Sequence, residues 1–173
     1  MPISPYIRDL RRKVGNDLLV LPSATAVIFD GDRRVLLVRE RGSPEWHLPG
    51  GTIDPDERPA DAVVREAWEE TGLKVRPVRL IGVFGGPDYL VVYPNGDRTL
   101  YTTAAFECVP EGGEARAVDG EIEGFRWTAR DELEGLGVPP RVHEVLAPAW
   151  DPSAVAGFAP PEWRPPDGGR ISG

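Results

Sequence analysis

The chain reads as an α+β or α/β/α sandwich built on a mixed β-sheet, and three observations carry that reading. Segments rich in β-branched and aromatic residues recur through its middle, separated by Gly, Asp and Asn turns. One strongly helical segment begins near Arg58-Pro59 and ends at Gly72, and further helical segments lie near both ends. Strands and helices do not alternate regularly, which argues against a repeating βαβ array. At 173 residues the chain is long enough for one domain that buries roughly two-thirds of its unfolded surface.

From the N-terminus, residues 5–14 form an amphipathic helix, with Ile7, Leu10 and Val14 on one face and Arg8, Arg11, Arg12 and Lys13 on the other. Residues 18–21 are a short apolar run read as a strand. Residues 23–30 (SATAVIFD) and 35–39 (VLLVR) are strands, and Asp30-Gly31-Asp32 between them predicts a hairpin. After a polar loop and Trp46-His47-Leu48-Pro49 comes the Gly50-Gly51 pair.

Beyond the central helix, residues 75–85 form a strand bent at Pro77, and residues 88–93 alternate weakly. Asn95-Gly96 is a hairpin turn into a long strand over 99–109, with residues 111–113 as loop. Residues 122–128 are the last strand, followed by helices over 129–136 and 139–146. From Pro148 onward, prolines 148, 152, 160, 161, 165 and 166 exclude regular structure, and Trp150, Phe158 and Trp163 sit among them. The expected organisation is a lead-in over 1–22, a core domain over 23–147, and a tail over 148–173 that is either draped on the domain surface or binds a partner or covers the active site.

A net charge of −8 argues against non-specific nucleic-acid binding, which needs a basic surface. Cys108 is the sole cysteine, so no intrachain disulfide and no cysteine-based zinc site can form. There is no signal-peptide core, and no apolar run approaches the ~18 residues that span a bilayer. A cytoplasmic location is expected.

The chemistry is concentrated between Gly50 and Leu73. At ~100° per residue, Glu66, Glu69 and Glu70 fall within an arc of about 100°. Ala60, Val63, Val64, Ala67, Trp68 and Thr71 fall on the other side, the face expected to be buried. Three carboxylates on a rigid helix offer the hard oxygen donors that Mg²⁺ or Mn²⁺ prefer when they bridge to phosphate.

The spacing from Gly51 to Glu57, Arg65-Glu66, Ala67, Glu69-Glu70 and Gly72-Leu73 follows G-x5-E-x7-R-E-U-x-E-E-x-G-U, in which U is a bulky aliphatic and Ala67 is smaller than usual. The chain therefore resembles the Nudix family, over roughly residues 23–146. The resemblance implies an α/β/α sandwich and a hydrolase of nucleoside diphosphates linked to another group, dependent on Mg²⁺ or Mn²⁺. It implies Glu66, Glu69 and Glu70 as metal ligands, one of them a candidate base. Glu57 is implied as a further ligand or a support for one, and Arg65 as the cation that orients the glutamates. Gly50 is grouped with the metal site and, with Gly51, leaves the backbone open there. Glu121, in the loop Asp119-Gly120-Glu121, is the candidate distal acid, with Glu123 in reserve. Asp54 and Asp56 depart from the usual residues of the box loop, and Pro87 falls slightly short of the proline associated with ADP-ribose hydrolysis.

For substrate binding, Arg39, Arg41, Arg79 and Arg98 are candidates to grip phosphate or ribose. Phe84, Tyr89, Tyr93, Tyr101 and Trp127 are candidates to stack on a base. The leading expectation is cleavage of an ADP-ribose-like nucleoside diphosphate derivative. The alternatives are a MutT-like (d)NTP pyrophosphohydrolase and a non-catalytic ligand-binding domain. Homodimers are common in the family, and the helix at 5–14 is a candidate contributor to one.

Overall fold

β1 (Leu19–Ile28) and β6 (Arg98–Gly113) run parallel at the centre of a five-stranded sheet, in register from Leu19 opposite Thr99 to Ile28 opposite Cys108. β3 (Gly50–Thr52) adds antiparallel to β1, and β4 (Leu73–Phe84) and β5 (Leu90–Val92) add antiparallel to β6. The order is β3-β1-β6-β4, a mixed sheet as expected. This computed structural model describes residues 4–117 and 120–158, so Asp119 and the tail residues Pro160, Pro161, Trp163, Pro165 and Pro166 lie outside the described residues.

The expected hairpin between the first two strands forms only at its base. Asp30 Oδ1 accepts from the backbone N–H of Asp32 (3.0 Å) and Arg34 (2.8 Å), which makes the turn, and Phe29 bridges Val35. Thereafter β2 (Val35–Glu40) leaves the first sheet and pairs antiparallel with β7 (Ile122–Thr128). Val35, Leu36, Leu37 and Val38 are all buried, so the first four residues of this strand have no solvent face, and only Arg39 and Glu40 reach toward water. Val35 and Leu37 join one core cluster and Leu36 the other, which places β2 between the two cores.

The first core includes Val27, Phe29, Ile81, Phe84 and Ala105 of the sheet with Val142, Val145 and Leu146 of α3 (Pro140–Ala149). The second includes Ala24, Ala26, Ile28 and Cys108 with Ala62, Val63 and Ala67 of α2 (Pro59–Thr71). Helices thus cover both faces of the sheet, which is the α/β/α sandwich. α1 (Pro5–Val14) has the expected bounds, and none of its residues is buried.

Several local expectations are corrected. Residues 111–113 are not loop but the end of β6, where Gly113 pairs with Leu73. The helix expected over 129–136 is a single 3-10 turn, Arg130–Glu132, because Gly135 (φ 95°) lies in the left-handed region. α3 runs through Pro148 to Ala149; the proline takes one N–H out of the last turn, and Trp150 N–H still donates to the carbonyl of Leu146 at 3.3 Å. Past it, Gly157 donates to the carbonyl of Ile81 (2.7 Å) and accepts from Val83 N–H (3.1 Å), laying the start of the tail along β4.

Candidate active site

α2 starts at Pro59, at the first helical position, and ends where Gly72 adopts a left-handed conformation (φ 70°). Its buried residues are Ala62, Val63, Glu66, Ala67, Glu70 and Thr71. The helix therefore does not divide into an apolar buried face and a wet acidic face. Glu66 and Glu70 belong to the buried face, whereas Ala60, Val64 and Trp68, expected inside, are exposed. The reason is the short β3 and its flanking loop, which close over the side of α2 that carries the glutamates.

Arg65 organises the carboxylates. Its Nε and Nη2 donate to the two oxygens of Glu57, each at 2.8 Å, and Nη2 also donates to the carbonyl of Thr52 at 3.1 Å. Its Nη1 donates to Glu66 Oε1 (2.7 Å) and Glu69 Oε2 (3.3 Å). The bidentate pair with Arg65 holds the Glu57 carboxyl below its ordinary range. Reciprocally, the hydrogen bond to Glu57 raises Arg65, which stays charged throughout.

Glu70 Oε2 accepts from the backbone N–H of Gly50 at 3.1 Å. Gly50 has φ 156°, and a Cβ there would collide with the carbonyl of Ala24 and lie 2.9 Å from Thr25 Cα. Only glycine lets this N–H reach the helix. Glu66 is fully buried, yet its Oε2 has no hydrogen-bond partner. Burial pushes its carboxyl up to about 7, against the pull of Arg65.

A cavity of about 960 Å³ opens on Gly50, Gly51, Arg65, Glu66, Glu69 and Glu70, and the same lining contains Glu121 and Tyr89. Tyr89 is buried, with its hydroxyl donating to Glu144 at 2.8 Å. Glu121 also lines an adjoining hollow with Arg41, whose Nη2 donates to the carbonyl of Gly120 at 3.1 Å. Arg39 lies outside the cavity lining: it stacks 5.0 Å above the Trp46 ring and pairs with Glu123 at 3.3 Å, in a geometry short of a hydrogen bond. Arg98 is exposed, outside the lining, and engaged through its backbone carbonyl. Arg79 joins Glu107 away from the cavity. Two lining arginines stand outside the substrate-binding candidates: Arg11, read as part of a basic helix face that meets water or a phosphate, and Arg141 at the start of α3, which the sequence does not single out. Only their chain neighbours were available as a signal, and basic residues on a helix look the same whether they face water or a cavity.

The donors suit a hard divalent cation. They are all oxygens, and Glu66 offers a buried oxygen that lacks any partner. As they stand, no three carboxylate or imidazole groups among the described residues converge tightly enough to enclose an ion. The guanidinium of Arg65 stands among Glu57, Glu66 and Glu69 and supplies the positive charge that keeps them together.

The family profile described as the NUDIX domain matches residues 20–149. The chain belongs to the Nudix family. Among curated relatives of this Nudix hydrolase is a MutT-like protein of Streptomyces ambofaciens, 35% identical over 111 residues, 64% of this chain and 65% of the relative. A protein of Bacillus subtilis described as a putative 8-oxo-dGTP diphosphatase is 30% identical over 122 residues, 70% of this chain and 75% of that one. A human diphosphoinositol polyphosphate phosphohydrolase, 3-alpha, is 44% identical over 64 residues, 35% of this chain and 39% of its own length. Among solved structures, an ADP-ribose pyrophosphatase of Streptococcus suis superposes with TM-score 0.59 at 26% identity, covering 79% of this chain and 96% of that one. A UDP-X diphosphatase with TM-score 0.61 and 24% identity, over 84% and 70% of the two chains, shares the fold. No described helix is long and apolar enough to cross a membrane.

Proposed function

We propose that this Nudix hydrolase is a divalent-metal-dependent pyrophosphohydrolase of a nucleoside diphosphate linked to a second moiety, ADP-ribose-like. Water adds across the P–O–P bond to give a nucleoside monophosphate and a second phosphorylated product. The observation that carries the reading is the half-satisfied, fully buried Glu66 at the wall of a cavity large enough for a nucleotide.

Mg²⁺ or Mn²⁺ held by Glu66, Glu69 and Glu70 would neutralise charge on the bridging phosphates. Glu57 supports that set through Arg65, whose contacts fix both side chains. Gly50 fixes Glu70 through its N–H. Glu121 is the candidate to accept the proton of the attacking water, from its place in the cavity lining.

The charge of the cavity narrows the substrate. Eight acidic side chains line it against three arginines, and Arg65 is already paired. Cations held by Glu66, Glu69 and Glu70 would offset part of that charge, and Glu40, Glu45, Asp54, Asp97 and Glu121 remain as acids with no phosphate-binding role. On that balance we rank a diphosphate ahead of a (d)NTP or an inositol polyphosphate, since each added phosphate needs a further cation. The (d)NTP reading is favoured by the Bacillus subtilis relative, described as a putative 8-oxo-dGTP diphosphatase.

The test is product release from ADP-ribose, UDP-glucose, diadenosine diphosphate, dGTP and 8-oxo-dGTP, with Mg²⁺ and with EDTA. Metal-dependent formation of nucleoside monophosphate from the diphosphate derivatives is expected, faster than from the triphosphates. Binding without turnover of any of them would mean a non-catalytic binding domain.

A further inference from the structure

α1 lies outside residues 20–149, the stretch shared with the family, yet Ser4, Pro5, Ile7 and Arg11 form part of the cavity wall. Ten residues are too few for a helix to persist alone in water, and no α1 residue is buried. Tertiary contacts must hold it, and they centre on one side chain. Arg11 Nη2 donates to the carbonyl of Arg98 (2.8 Å) and to Thr99 Oγ1 (2.9 Å). Arg11 Nη1 donates to the carbonyls of Gly15 (3.1 Å) and Asp17 (2.7 Å), and Nε lies 3.5 Å from Asp97 Oδ2. Just beyond the helix, Asn16 Nδ2 donates to the carbonyl of Asn95 at 3.2 Å. Every partner beyond Asp17 belongs to the β5–β6 turn or the start of β6.

The register locates this wall relative to the carboxylates. Gly50 lies opposite Thr25 on β1, and Tyr101 lies opposite Leu21, four residues upstream. Along a strand that is about 13 Å. The cavity therefore runs along β1 from the α2 carboxylates toward α1. Leu21, Val91, Tyr93 and Tyr101 line that far end with Ile7, and the Tyr93 and Tyr101 hydroxyls are joined at 2.7 Å. Arg11, the cation there, already has its donors engaged.

We infer that α1 is the specificity wall of this cavity: Ile7 contacts the uncharged, flat end of the substrate, a nucleobase, and Arg11 is the positioning residue that holds Ile7 in place. The inference rests on the hydrolase reading for its substrate class, but its test does not need turnover. Calorimetric titration of AMP and of inorganic pyrophosphate, both in Mg²⁺, compares a ligand that reaches α1 with one that stays at the carboxylates.

Ile7→Trp and Arg11→Ala are expected to weaken AMP by about tenfold while pyrophosphate changes by less than about twofold. In steady-state assays with ADP-ribose, the same two variants raise KM by a similar factor, and kcat falls by less than about threefold. Unchanged AMP affinity in both variants overturns the inference, and so does an equal loss for AMP and pyrophosphate. If the wild type binds AMP with this pattern but hydrolyses nothing, the hydrolase reading fails and the α1 wall stands.

Discussion

Glu66 on α2 and Glu107 on β6 are both buried glutamates, and their surroundings treat the charge in opposite ways. Glu107 has both oxygens answered: Arg33 Nη1 donates to Oε1 at 2.7 Å, and Arg79 donates to Oε2 from Nε at 3.0 Å and Nη2 at 2.7 Å. The same guanidinium groups donate to the carbonyls of Ala149 and Ala154, at 2.9 and 3.0 Å, so the clamp ties β6 to the end of α3 and the chain after it. Burial raises the Glu107 carboxyl, the two arginines outweigh it, and the result lies below the ordinary value. Glu66 has one arginine on one oxygen, burial wins, and its carboxyl rises to about 7. The glutamate that holds the fold together has both oxygens paired, while the glutamate at the cavity keeps one open.

The comparison breaks first at Glu107. Glu107→Ala leaves two guanidinium groups facing each other, and should cost about 3 kcal/mol in urea unfolding, the lower end for a buried pair because Arg33 is partly exposed. The folded fraction should keep kcat within about twofold. A loss under about 1 kcal/mol would mean that the clamp is ornamental and the contrast empty.

Glu66→Gln and Glu70→Gln should each lower the hydrolytic rate by ~10²-fold or more, measured at saturating Mg²⁺. The stability effect of Glu66→Gln should run the other way. A buried acid with a raised folded pKa stabilises the protein below its unfolded value of 4.5, and that contribution is lost as pH rises through about 7. The metal-free wild type should therefore fall behind Glu66→Gln by on the order of 3 kcal/mol by pH 8, with the two alike near pH 4. Thermal melts across that range in EDTA would show it, and Mg²⁺ should restore the wild type more than the variant. Glu107, with its pKa lowered, loses its contribution only as pH falls below 4.5. The smallest effect is expected at Arg98→Ala, below about twofold in KM, because Arg11 uses the backbone carbonyl there and not the side chain.

What the sequence disclosed was whatever is local. The box was readable because Gly51, Glu57, Arg65, Glu66, Glu69 and Glu70 are fixed in spacing along one loop and one helix, and α1 and the Asn95-Gly96 turn were readable for the same reason. The burial of Glu66 and Glu70 was not, since a helical wheel shows which residues share a face but not what covers it. The departure of β2 to β7 depends on pairing across more than eighty residues. Arg39 and Arg98 could not be told apart from Arg11 and Arg141 by type or neighbours. Only the tertiary arrangement decides which of them lines the cavity.

The seam between Gly82 and Gly157 has a consequence of another kind. β4 is the last strand of the order β3-β1-β6-β4, and it exposes Val78, Leu80 and Val83. A bare strand of that composition is a template for another chain. Gly157 occupies the groups of Ile81 and Val83 that would do the recruiting, and a Cβ on Gly82 would run into its carbonyl. Two residues without side chains thus act as a hem on the fabric of the sheet. A chain ended after Trp150 should keep its chemistry yet scatter light increasingly with concentration, and unchanged scattering would mean that the seam protects nothing.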